Sequence, residues 1–139
     1  MKAVADSSPL HYLVQIDAED VLRQLFVELM APPEVIAELT HPRAPDAVRS
    51  WGPGESAAIA LAIETHADIL LIDERAGAKV AKRRGIRTTG TVAILAMAAE
   101  RKLISLPVAF AALRATSFRA PDALMNGLLE LDRERGQQG

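Results

Sequence analysis

The chain has 139 residues, the size of one ordinary domain that can bury a hydrophobic core without staples. Half of its residues are hydrophobic but only 4% are aromatic, and cysteine is absent, which excludes disulfides and thiolate zinc sites and fits a reducing, cytoplasmic setting. A formal net charge of −2 excludes a global attraction to nucleic acid, so any such binding must come from a local patch.

No apolar run approaches the length needed to cross a bilayer, and the opening Met1-Lys2-Ala3-Val4-Ala5-Asp6 is too soon interrupted for a signal peptide. Residues 3–6 read as a buried strand. Ser7-Ser8-Pro9 supplies helix-start chemistry for one or two turns carrying Leu10, Leu13 and Val14. Asp17-Ala18-Glu19-Asp20 opens a helix with Val21, Leu22, Leu25 and Phe26, acids at its start favouring the dipole. Leu29-Met30-Ala31 is a candidate second strand, and Pro32-Pro33 leads into a helix over 34–40 with Val35, Ile36 and Leu39 inward.

Residues 41–53 form the most loop-like stretch, with a helical turn allowed at 46–50. Gly54-Glu55 then launches a helix over 56–66 whose inner stripe of Ile59, Ala62 and Ile63 shares a face with Glu55. A strand follows at 69–72, and a helix over 75–84 is stopped by Gly85. Ile86-Arg87-Thr88 reads as a further strand, and Thr89-Gly90-Thr91 caps a helix from Val92 to Lys102. Pro107 and Pro121 mark two more amphipathic helices before a frayed polar tail at 136–139. Strands alternating with helices predict a single α/β domain over 1–135, its short parallel sheet sandwiched between helical layers.

Four acids stand out by position: Asp6, Glu38, Glu55 and Asp73. Asp6 and Asp73 each end an apolar strand, where open α/β sheets place their ligands. Glu38 and Glu55 sit on apolar-sided helix positions, where an unpaired charge is costly. Each has a structural explanation as a cap, a dipole partner or a solvated side chain. Together they form a set that would repel itself unless a hard cation, Mg²⁺ or Mn²⁺, lay between them. Glu74 is either an outer ligand or a first-turn helix acid, the second being favoured.

Arg75, Lys79, Lys82, Arg83, Arg84 and Arg87 follow with no acid among them. They are either a solvated helix face or a grip for phosphates beside the acids, as phosphodiester cleavage requires. His11, His41 and His66 lack metal-ligand spacing and read as structural or surface residues. Ser8 is a candidate partner of the site carboxylates rather than a nucleophile. Thr89 and Thr91 read as caps, and Trp51 as a cover or interface anchor.

The ordered stretches Asp6-Ser7-Ser8-Pro9-Leu10, Pro33-Glu34-Val35-Ile36-Ala37-Glu38-Leu39, Gly54-Glu55-Ser56-Ala57-Ala58-Ile59-Ala60-Leu61-Ala62 and Leu70-Leu71-Ile72-Asp73-Glu74-Arg75 resemble a PIN domain. The likeness is to the compact prokaryotic branch of nucleic-acid-binding proteins related to VapC-type toxins. Thr89-Gly90-Thr91-Val92-Ala93-Ile94-Leu95 and Arg101-Lys102-Leu103-Ile104 extend it, so that it covers about residues 3–120. It implies a three-layer α/β/α sandwich and a ribonuclease in which Asp6, Glu38, Glu55 and Asp73 are catalytic and bind magnesium or manganese. Glu55 stands where many relatives have aspartate. Asp73-Glu74 replaces their Thr-x-Asp pattern, leaving open which acid lies nearer the metal.

The expected function is thus a metal-dependent endoribonuclease, a hydrolase of RNA phosphodiester bonds, with Arg75 and Lys79 binding single-stranded or structured RNA. By resemblance it is also the toxin of a type II toxin–antitoxin pair, a cytoplasmic homodimer inhibited by a small antitoxin. The alternative is a catalytically degenerate PIN-like module that binds RNA or protein. A phosphoacceptor receiver domain ranks last, since Asp6 stands alone and the 87–89 region offers no lysine.

Overall fold

The computed structural model describes residues 1–40, 53–119 and 122–138, with the side chains at 38–40, 53–56 and 137–138 left aside. The strands are β1 (Lys2–Ala5), β2 (Glu28–Met30), β3 (Ile69–Leu71) and β4 (Thr88–Thr89). They form one parallel sheet in the order β2-β1-β3-β4. Parallel sheets are covered on both faces, so central strands need continuous apolar runs. Ala3, Val4, Ala5 and Ile69 to Ile72 meet that need, none being more than 5% exposed.

The helices are α1 (Ser7–Gln15), α2 (Asp20–Leu25), α3 (Pro33–Thr40), α4 (Pro53–Glu64), α5 (Arg75–Arg83), α6 (Thr91–Glu100), α7 (Leu106–Arg114) and α8 (Asp122–Gln138). Strand alternation divides the core in two. Ala3, Ala5, Ile69 and Leu71 pack under α1, α2, α6, α7 and α8, around Leu13, Leu22, Leu95, Phe110 and Leu113. Val4, Leu70 and Ile72 pack under α4 and α5, against Ala58, Ile59, Ala62 and Ala81. The product is the expected α/β/α sandwich.

Several boundaries and faces differ from the sequence reading. Helix α1 runs for nine residues, and Val14 on it is 55% exposed. On α3 and α4 the inner faces carry Val35 and Ala58, whereas Ile36 and Ile63, expected inside, are 52% and 41% exposed. Ile59 and Ala62, expected inside, are buried with Ala58, so the contact face of α4 lies between Ala58, Ile59 and Ala62 and leaves Ile63 outside it. Strand β4 starts at Thr88 instead of Ile86, and residues 136–138, expected as tail, continue α8. Gly85, at a φ of +78°, follows the C-cap of α5 in the left-handed conformation that suits glycine. The expected loop at 41–53, with His41 and Trp51, lies outside the described residues up to position 52.

Candidate functional site at the carboxyl edge of the sheet

From β1 the chain moves to β2 on one side, then returns to build β3 and β4 on the other. The reversal puts a switch point between β1 and β3, where parallel sheets open a crevice beyond their carboxyl ends. Asp6 and Asp73 follow these two strands. With Ala5 in register with Leu71, and the Asp6 N–H donating to the Leu71 carbonyl at 2.9 Å, both aspartates arrive at the same edge.

Asp6 is 5% exposed. It holds the N-cap position of α1 with extended backbone, yet its side chain makes no capping bond, so the simplest structural role for it does not apply. Asp6 follows β1 directly and Asp73 comes two residues after β3, so both lie just past the paired strands.

Asp73 is tied to the start of α6. The Thr91 N–H donates to Oδ1 and the Thr91 hydroxyl to Oδ2, each at 2.7 Å. The carboxylate therefore satisfies one of the helix's orphan N–H groups and sits at the positive end of its dipole. Burial pushes its pKa above the ordinary 3.8, while the two bonds from Thr91 pull it down. Gly90 makes the approach possible: a Cβ there would lie 2.6 Å from Asp73 Oδ1. The N-cap of α6 is Gly90 itself, and Thr91, completely buried, serves Asp73 rather than its own helix start. Sequence reasoning missed this role because nothing in the spacing links positions 73 and 91; a glycine before a buried threonine at a strand end was the available signal.

Glu74 resolves to its structural reading. It is the N-cap of α5, and its Oε2 accepts from the Gly77 N–H at 2.9 Å. Glu74→Ala is expected to cost about 1 kcal/mol, seen as a Tm lower by roughly 4 °C at this chain length. A Tm within a degree of the parent's would refute the cap.

Helices α3 and α4, which carry Glu38 and Glu55, pack against each other, and α4 also packs on β1 and β3. Glu55 lies in the first turn of α4, in helical phase with Ile59 and Ala62, and Glu38 lies one turn beyond Val35. Their side chains lie outside the described residues, among which no group of three carboxylates or imidazoles able to hold a metal occurs. Ser8 is half-buried in the first turn of α1. His11 packs edge-on to Tyr12, and burial lowers its pKa.

The cations are only partly beside the acids. Arg75 opens α5 at the carboxyl edge, but α5 runs back toward the amino ends of the strands. Lys82, Arg83, Arg84 and Arg87 consequently lie at the opposite edge, about 12 Å along the helix axis from Arg75 to Arg83. Among the described residues no helix is long and apolar enough to cross a membrane.

A family model described as a PIN domain matches residues 42–134, more than half of the chain. The matched segment contains Glu55, Asp73, Thr91 and the basic helix, while Asp6 and Glu38 precede it. Comparison with curated proteins and with solved structures gave no match.

Proposed function

Because this chain belongs to the PIN-domain family, we propose that it is an RNA-binding PIN module, a single domain over 1–135, working through the carboxyl edge of its sheet. The observation that carries this reading is the engagement of both Asp73 oxygens by Thr91, a structural use of the carboxylate. Arg75 and Lys79, both exposed on α5, supply the cations that meet the RNA backbone.

A second reading, metal-dependent ribonuclease, is favoured by a different observation, the delivery of Asp6 and Asp73 to adjacent strand ends. An ionised carboxylate accepts about four bonds, so Thr91 leaves Asp73 with capacity to spare. Mg²⁺ binds through one or two carboxylates plus substrate phosphate, a donor set that Asp6 and Asp73 fit, with Glu38 and Glu55 as further ligands. A bound divalent ion would supply the charge that activates water toward the phosphodiester. The chain's own contribution would be Thr91 orienting Asp73, Gly90 leaving space for it, and Arg75 holding the phosphate. Under this reading the toxin role follows, with a small antitoxin covering the edge and a homodimer as the working form.

One experiment separates the two. Purified protein should bind labelled single-stranded RNA equally well in EDTA and in Mn²⁺, leave it uncut, and show the same Tm in both. Cutting that requires Mn²⁺ and is abolished by Asp6→Asn at unchanged Tm would establish the nuclease instead. A metal-dependent rise in Tm in the parent alone would point the same way.

A further inference from the structure

Beyond Arg75 and Lys79, a second basic feature among the described residues lies at the far edge of the sheet. A depression of about 410 Å³ is lined by Lys82, Gly85, Ile86, Arg87 and Thr88. Lys82, Arg83, Arg84 and Arg87 are all exposed, and none has an ion-pair partner among the described residues. No acid occurs from position 75 to 99, so their field is not cancelled from within the segment. Asp68, which precedes β3 on the neighbouring strand, turns its carboxylate away to accept from the Lys2 N–H at 2.7 Å. Gly85, exposed in the lining, places no side chain between the cations around it.

A row of cations on α5 leads from the depression toward the other edge. Arg75, Lys79, Lys82 and Arg83 are spaced i, i+4, i+7 and i+8, which places them on one stripe of α5, while Gly77 and Ala81 are buried on another face. A stripe of cations running from Arg75 at the acid edge to an open basic depression fits a linear polyanion with regularly spaced charges.

We infer that the Lys82, Arg87 and Gly85 depression is a remote phosphate anchor for RNA, set at the opposite edge of the sheet from Asp6 and Asp73. The inference rests on the RNA reading above and deepens it: the RNA runs along α5, with its backbone held at both ends of the helix. Such an anchor gives affinity without base readout and makes binding depend on salt.

The test measures binding of a labelled single-stranded RNA dodecamer across a salt series, for the parent and for Lys82→Ala/Arg87→Ala. The double variant is expected to keep its Tm, since both side chains are exposed. It should bind about tenfold more weakly, with a salt slope shallower by about 1.4, the value for two lost single-strand phosphate contacts. Lys82→Arg/Arg87→Lys should restore both. Unchanged affinity and slope in the alanine variant, with the parent binding RNA, would overturn the anchor alone. No RNA binding by the parent would overturn the anchor and the RNA reading together. Equal binding of a polyglutamate peptide of matched charge, lost equally in the variant, would overturn RNA as the occupant in favour of an acidic protein.

Discussion

Gly90→Ala is expected to lower the melting temperature by roughly 12 °C, about 3 kcal/mol at roughly 4 °C per kcal/mol for a chain of this length. The new Cβ would stand 2.6 Å from Asp73 Oδ1, closer than such atoms approach one another. The carboxylate must then leave the position in which Thr91 holds it with two 2.7 Å bonds. Its departure orphans the Thr91 hydroxyl, buried with no solvent exposure, and strips the carboxylate of charge-assisted donors. Each such loss costs about 1–3 kcal/mol. A double-mutant cycle isolates the cause, because Gly90→Ala should cost little in an Asp73→Ala background, where the atom it strikes is gone. Equal costs in both backgrounds would mean that the glycine is needed for some other reason.

Asp73→Asn should change how stability depends on pH. Burial raises the folded-state pKa of Asp73 above its ordinary value of 3.8. The folded protein thus holds the proton more tightly than the unfolded chain does. The resulting stabilisation is fully present below the unfolded value and is lost as pH climbs through the raised folded value. Asparagine carries no charge to desolvate and still accepts from the Thr91 N–H. The Tm of the parent minus that of the variant should therefore fall as pH rises from below the ordinary aspartate range toward neutrality, then level off. A constant difference would show that the ionised carboxylate is not penalised by its surroundings. Repeating the neutral point with Mn²⁺ adds a second readout, since a cation bound by this carboxylate would raise the parent's Tm and leave the variant's unmoved.

Much of the architecture was readable from periodicity. The apolar run at 69–72 and the short one at 3–5 announce strands buried on both faces, and Gly85 marks the end of α5 through its positive φ. Helix faces were harder where alanine is abundant. Along α4 the hydrophobic residues surround the whole cylinder, so no apolar stripe singles out the buried side, and Ile63 turned out exposed while Ala58 did not. Of the two readings of the basic segment, a solvated helix face or a grip beside the acids, the second rests on closeness in sequence. A helix that returns antiparallel to its strand carries its last residues to the other edge, which sequence proximity cannot register.

The sequence by itself determined that Asp6 and Asp73 end apolar strands, since a carboxylate cannot continue a run buried on both faces. Only the tertiary structure decided that those strands are neighbours at the switch point, and that Asp73 is tied to the helix that begins at Thr91. The physical reason is that strand order and a hydrogen bond across 18 residues are settled by which faces pack together. Local pattern specifies an element's kind and, where an apolar stripe stands out, its buried side, but pairing between distant elements is a property of the assembled core.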